Sequence, residues 1–409
     1  MKKTRTILIP QHTDLWHKFR TTGVFPTDSN DKKLHYQGGT GASEIGTLML
    51  PVEYGMTLME LFHRKVGTEQ AKPFINERML HGSAQETYVG QCWMNWDGNK
   101  DTFHINFDKY LNTLEQTYGV MFKDVFNDNS IPDTVIRKAQ RHAGYIVHQD
   151  YPYLFASLDF KAVNESALMD INHENFKAVK GEQIPVFPIE CKTISTDASR
   201  NYVYKLPDQY LLQLQLQMLL TDSYYGEIAM LVGGNDFQVQ CFERNDSICN
   251  SILNVNTKFW EERVIPAREK YRIFKETQSE KYLREAIAYE PLPDSSEPYK
   301  TYLSERHKVE LTQMLGNQTM LDYVRELVKV RGILKEVGKT ETEMLNNLRY
   351  WFVKHECEQI NFEGEGYIKY FIKEGGKNRE LSLRGLKVRV DENEVLESAS
   401  KINQIIKSE

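Results

Sequence analysis

The residues most able to do chemistry in this chain are an acid and, further on, a Glu-x-Lys. Asp159 lies in Ser157-Leu158-Asp159-Phe160, and Glu190-Cys191-Lys192 follows 31 positions later. Two carboxylates can hold a hard divalent cation, most naturally Mg²⁺ or Mn²⁺. A lysine two residues beyond one of them can orient a water and stabilise charge that builds on a phosphate under attack. That combination suits hydrolysis of a phosphodiester bond. The same residues also occur as surface charges on an edge strand, so the surrounding elements decide between the two readings.

Both groups fall in strand-like apolar runs, residues 153–163 and 185–194. Period-2 alternation places Glu190 and Lys192 on one face of a strand and Cys191 on the other. A further strand is expected over 142–148. A helix follows over 205–221, with Pro207 in its first turn, and then two strands, 224–232 and 237–242, joined by Gly233-Gly234-Asn235-Asp236. This order sets Asp159 and Glu190 on neighbouring strands with a helix packed on the sheet. That helix carries Gln213, Gln215 and Gln217. Gln213 and Gln217 share a face at i,i+4, either towards solvent or, for Gln213, towards the acids.

Upstream, a short helix is expected over 13–20 and a polar loop over 25–36. Gly38-Gly39-Thr40-Gly41-Ala42-Ser43 opens a helix over 44–50, and further helices are expected over 57–65 and 77–96. Ser43 reads as an N-cap, or with Arg20 as part of a phosphate pocket at a helix N-terminus. His81-Gly82-Ser83-Ala84-Gln85-Glu86 resembles another helix start, with Glu86 one turn in, favourable for the helix dipole. His148 and Asp150 stand close enough to Asp159 in sequence to add to a metal site. Residues 97–140, rich in Asn, Asp and charge, read as an insertion.

At 409 residues the chain is long enough for two or three domains. Its 40% hydrophobic and 26% charged content is that of a water-soluble globular protein. No apolar run reaches the roughly 18 residues of a membrane span, and the apolar stretch in MKKTRTILIPQHTD is too short for a secretory leader, so a cytoplasmic location is expected. Cys92, Cys191, Cys241, Cys249 and Cys357 are scattered without a Cys-x-x-Cys, so neither a zinc site nor a disulfide framework is indicated, and the spacing argues against an iron–sulfur nuclease. The net charge of −6 gives bulk electrostatics no role in binding nucleic acid and leaves a local basic groove open. Residues 246–285 and 300–357 are charge-rich with helical spacing, the second run including a coiled-coil-like hairpin. The link 290–298 contains Pro and Ser, and a β-hairpin is expected over 366–372 and 381–390.

Taken in order, WHKFR at 16–20, Gly-Ala-Ser-Glu-Ile at 41–45, GSAQE at 82–86, SLD at 157–159, ECK at 190–192 and YLLQLQLQMLLT at 210–221 resemble the lambda exonuclease / YqaJ-like viral recombinase family of PD-(D/E)XK nucleases. The resemblance implies an α/β restriction-endonuclease-like core, a central mixed sheet flanked by helices, over residues 1–245. Insertions fall near 25–37, 97–140 and 164–184, and a helical C-terminal region spans 246–409.

It further implies a Mg²⁺-dependent exonuclease (Mn²⁺ substituting) with two ions, degrading duplex DNA from 5′ ends to mononucleotides for phage-type recombination. Asp159, Glu190 and the Cys191 carbonyl would hold metal. Lys192 would assist the water, Glu86 would support the site, and Gln213, with Gln215 as the alternative, would orient substrate. Arg20 and Ser43 match a 5′-phosphate pocket. Implied partners are double-stranded DNA ends, an annealing protein and further copies of the chain in a ring. The rival readings are an endonuclease or other defence or repair nuclease, and a DNA-binding scaffold without catalysis.

Overall fold

The computed structural model describes residues 4–8, 13, 16, 19–20, 38–50, 55–69, 77–121, 123, 125, 135–142, 144–162, 187–196, 206–294, 296–306, 318–354, 357–362, 366–372 and 379–384. The loops expected over 25–36 and 164–183 lie outside them. The chain forms two compact units, Met1–Lys308 and Val309–Glu409.

The first unit is built on a five-stranded mixed sheet in the order β3-β6-β7-β8-β9. Its strands are β3 (Ala139–Arg141), β6 (Phe160–Ala162), β7 (Pro188–Ile194), β8 (Tyr225–Val232) and β9 (Asp236–Glu243). β7 and β8 are parallel and every other pair is antiparallel. A parallel pair needs a crossover, and the helix Asp208–Thr221 lies between the two in sequence. Pro207 caps that helix rather than sitting in its first turn.

A second sheet runs in the order β1-β4-β5-β2, from β1 (Thr4–Ile7), β2 (Thr40–Gly41), β4 (Tyr145–His148) and β5 (Leu154–Ala156). The apolar run 153–163 is therefore not one strand. β5 belongs to one sheet and β6 to the other, and Ser157-Leu158-Asp159 passes between them.

Helices α1 (Ile45–Met49), α2 (Leu58–Val66), α3 (Glu77–Met94), α4 (Lys100–Tyr118) and α5 (Asp208–Thr221) surround the sheets. α3 and α4 cover one face of the five-stranded sheet: Val89, Trp93, Phe103 and Tyr110 pack with Phe160, Ile189, Ala229 and Leu231. α5 covers the other, where Leu214 and Met218 meet Ile194, Ile228 and Met230. Alternate residues of β8 thus serve opposite cores, as a strand buried on both faces requires. A Cβ at Gly226 would lie 2.9 Å from Leu214 and 3.0 Å from Met218, so its absence lets α5 lie close on the sheet.

On the α3 face, Glu227 accepts from Trp93 Nε1 at 2.6 Å, from Arg137 at 2.6 Å and from the Tyr225 hydroxyl. These bonds compensate a fully buried charge.

The region expected as an insertion, 97–140, contributes α4. Phe103, Tyr110 and Leu114 lie at helical spacing and are buried in the main core. Downstream, α6 (Asp246–Lys258) and a π-helical turn (Phe259–Val264) lead into α7 (Ile265–Thr277). α8 (Glu280–Ile287) and α9 (Glu297–Arg306) follow. Trp260, Val264 and Ala267 are buried against Leu61, Phe62 and Tyr153. That packing ties residues past 245 to the first unit, and the division falls after α9.

The second unit holds α10 (Gln318–Lys354) and an antiparallel sheet β10-β11-β12 (Gln359–Phe362, Gly366–Ile372, Arg379–Arg384). The stretch expected to fold back as a helical hairpin is one continuous helix of 37 residues. The expected β-hairpin is present with β10 added, and residues 385–390 lie outside the described residues.

Candidate active site

β7 sets out the centre of the site. Ile189 and Cys191 face α3, while Glu190, Lys192 and Ile194 face α5. Glu190 is buried at 2% exposure. Its Oε1 accepts from Lys192 Nζ and, at 2.6 Å, from Gln213 Nε2. Its Oε2 accepts from Gln217 Nε2 at 2.6 Å. Lys192 Nζ also donates to Gln213 Oε1 at 3.2 Å and lies 4.9 Å from the centre of the Tyr210 ring. Burial alone would lower the Lys192 pKa, but the charges of Glu190 and Asp159 outweigh it and raise it, so the amine carries its proton.

Asp159 arrives from the turn between β5 and β6. Its Oδ2 accepts from the Cys191 amide at 2.9 Å, which fastens the turn to β7. Burial and then the charges of Glu190 and Glu86 hold its carboxyl well above the usual carboxylate range. Glu86 comes from inside α3, where the expected helix start at His81–Gly82 is not found, because the helix already begins at Glu77. Arg141 of β3 anchors it with a 2.7 Å ion pair and also donates to Thr87.

Asp159 and Glu190 both act on Lys192, while Glu86 is paired with Arg141, so the carboxylates outnumber the cations by one and a divalent cation would relieve the excess. The donors are hard oxygens, and Asp159 Oδ1 takes no hydrogen bond among the described residues. These donor types would suit Mg²⁺ or Mn²⁺, with Asp159 and Glu190 as the carboxylates that would hold it. Among the described residues no three His, Cys, Asp or Glu side chains form a finished cage. Remaining ligands would come from backbone, water or substrate.

Of the neighbouring candidates, His148 is turned away to local work. Its Nδ1 accepts from the Asp150 and Tyr151 amides, both at 3.2 Å. Gln215 is also elsewhere: it donates to the Glu243 carbonyl at 2.8 Å and accepts from the Asn245 amide at 2.7 Å, joining β9 to α6.

A second polar group lies at the start of α1. Arg20 donates to the Ser43 hydroxyl at 2.8 Å and lies 4.9 Å from the Trp16 ring centre. Lys65 of α2, 1% exposed, donates to both Glu44 oxygens at 2.9 and 2.8 Å and to the Arg20 carbonyl at 2.8 Å. Burial pulls the Lys65 pKa down to about 8, Glu44 opposes this, and Arg20 and Arg268 add to it. Glu44 is lowered in turn: Lys65 and Arg20 overcome the effect of burial. Ala42 and Ile45, on either side of Ser43–Glu44, pack on Leu212 and Leu216 of α5. The helix that brings Gln213 to Glu190 thereby also supports the Arg20–Ser43 pair.

Sequence reasoning assigned no site role to Gln217, Arg141, Tyr210 or Lys65. The i,i+4 spacing of Gln213 and Gln217 was the one available signal.

No protein-family model matches the chain. Over 132 residues the sequence is 24% identical to the uncharacterized protein YqaJ of Bacillus subtilis (strain 168), taking in 32% of this chain and 35% of that protein. The chain thus spans about a third of the length of the curated relative it matches. Among solved structures it is similar to the alkaline exonuclease LHK-Exo from Laribacter hongkongensis, with a TM-score of 0.36 and 14% identity over 59% of this chain and 95% of that one. The same enzyme in complex with dAMP gives a TM-score of 0.35 at the same identity and coverage. The protein matched in sequence, YqaJ, is the one whose name is carried by the family that the ordered motifs resemble.

Proposed function

We propose that this protein is a metal-dependent DNA exonuclease that degrades duplex DNA from 5′ ends to mononucleotides and leaves 3′ single strands for phage-type recombination. The observation that carries the reading is the arrangement on β7. Glu190 and Lys192 lie side by side, bridged by Gln213, with Asp159 bound to the amide between them. The ordered motif series and the sequence similarity to YqaJ support it.

In this reading Asp159 and Glu190 hold the cations, two Mg²⁺ or Mn²⁺, with the Cys191 carbonyl. When bound, such ions supply Lewis acidity for the phosphate and for water. Lys192 keeps its proton and offers N–H bonds to the attacking water and the phosphate oxygens. Gln213 fixes the ammonium relative to Glu190. Glu86, restrained by Arg141, adds negative charge near Asp159. Arg20 and Ser43 take the terminal 5′-phosphate, with Glu44 and Lys65 beneath them. The protein would act in the cytoplasm on double-stranded DNA ends, as an oligomer and beside an annealing protein. No helix among the described residues is long and apolar enough to cross a membrane.

The test is digestion of linear duplex DNA labelled at one 5′ or one 3′ end, with and without Mg²⁺. Early release of the 5′ label as mononucleotide, only with metal, supports the reading. Release of the 3′ label first, or cutting of closed circular DNA, retains a nuclease and removes the 5′-end assignment. Binding without cleavage in any divalent metal points to a scaffold.

A further inference from the structure

Gln217 is completely buried, in a stretch of α5 where Leu214, Leu216, Met218 and Leu220 are buried as well. An apolar side chain would be the unremarked choice there. Its Nε2 donates to Glu190 Oε2 at 2.6 Å, while its Oε1 is buried with no partner among the described residues. A buried acceptor left unpaired is costly. Turning the amide over would set Oε1 against a carboxylate oxygen, so Glu190 dictates the orientation that leaves Oε1 unpaired. Glu190 is then gripped from both sides, by Lys192 and Gln213 on Oε1 and by Gln217 on Oε2.

We infer that Gln217 is a positioning residue for Glu190: its amide fixes the carboxylate plane in which Glu190 meets a divalent cation. The inference rests on the nuclease reading of the same site. Gln217 lies behind Glu190 and need not touch substrate. Its loss should therefore act on metal binding and turnover while leaving DNA affinity alone. Residues that orient a ligating group this way are worth about 10–100-fold in metal affinity or activity.

The test uses the full chain with Q217M, which keeps length and burial without the donor, and Q217N, which keeps the amide but withdraws it by one methylene. Free Mn²⁺ is followed by electron paramagnetic resonance, without DNA. Digestion of linear duplex gives kcat and KM separately, and thermal midpoints confirm folding, with Q217N standing alone if Q217M does not fold. The expected result is Mn²⁺ affinity and kcat lower by about 10–100-fold in both variants, with KM for DNA within about two-fold of wild type. Wild-type Mn²⁺ affinity and kcat in the folded variants overturn the inference, even where the thermal midpoint falls, since packing alone would account for that. If the wild type binds Mn²⁺, the variants weaken it and no DNA is cut, the nuclease reading fails and the positioning role stands.

Discussion

Gln213 donates a 2.6 Å hydrogen bond from α5 to Glu190 on β7. The same amide accepts from Lys192 at 3.2 Å. This one amide therefore ties both members of the ion pair together, while Gln217 holds the other oxygen of Glu190. α5 can hold that position because it is buried on both flanks, by the sheet through Leu214 and Met218 and by α1 and β5 through Leu212 and Leu216.

Replacing Gln213 with Leu should therefore lower kcat by about 10–100-fold with little change in stability. Steady-state digestion of linear duplex at saturating Mg²⁺ measures it. An unchanged kcat would remove Gln213 from the site.

Gln215 provides the contrast. Its bonds join the end of β9 to the start of α6, so Gln215→Leu should cost about 1–3 kcal/mol of stability and leave kcat near wild type. Urea unfolding alongside the same digestion assay separates the two glutamines.

Asp159→Asn should lose Mn²⁺ binding and at least about 1,000-fold in cleavage. It should stay folded, because the Asn side-chain carbonyl can still accept from the Cys191 amide. The wild-type carboxyl is raised by burial and by Glu190 and Glu86, so protons compete with the cation and apparent metal affinity falls as pH is lowered. Calorimetry in buffers of different ionisation enthalpy should record proton release on metal binding in the wild type, and no binding heat in the variant.

The sequence made parts of this legible and hid others for definite reasons. Glu190 and Lys192 share a face because strand alternation is local, and the Gly233-Gly234 turn marked the β8–β9 hairpin. Asp159 looked like a mid-strand residue because Leu158 continues the apolar run. The switch between sheets is a tertiary event with no Gly or Pro to announce it. Gly82-Ser83 looked like a helix start, yet α3 runs through it. Gln217 and Lys65 are polar residues on helices, where spacing alone reads as a solvated face, and only the packing on both sides reveals them as buried. Residues 97–140 were read from their Asn and Asp content, although Phe103, Phe107, Tyr110, Leu111 and Leu114 already carried a helical stripe.

Lys65 should matter for stability and for end recognition together. Lys65→Met leaves Glu44, 12% exposed, without its closest cation, at a cost of about 3–5 kcal/mol. Adding Glu44→Gln should recover most of that stability. In the proposed nuclease both variants should lose preference for a 5′-phosphate over a 5′-hydroxyl end, because Arg20 loses the support of its carbonyl. Urea unfolding with a double-mutant cycle, and digestion of the two kinds of end, check the two parts.

His142 predicts the direction of acid sensitivity. It follows β3, its Nε2 is buried with no partner among the described residues, and burial together with the charge of Lys161 on β6 lowers its pKa to about 4 from an ordinary 6.5. The folded state therefore holds the ring neutral while the unfolded chain binds a proton below about 6.5. Between those values the unfolded state carries more protons, so stability from this group is fully present above pH 6.5. It is lost progressively as pH falls towards 4. Partial exposure of the ring limits the loss to roughly 1–2 kcal/mol. Urea unfolding of wild type and His142→Gln at intervals across this range should give a shallower pH slope for the variant. Equal slopes would assign the acid sensitivity to other groups.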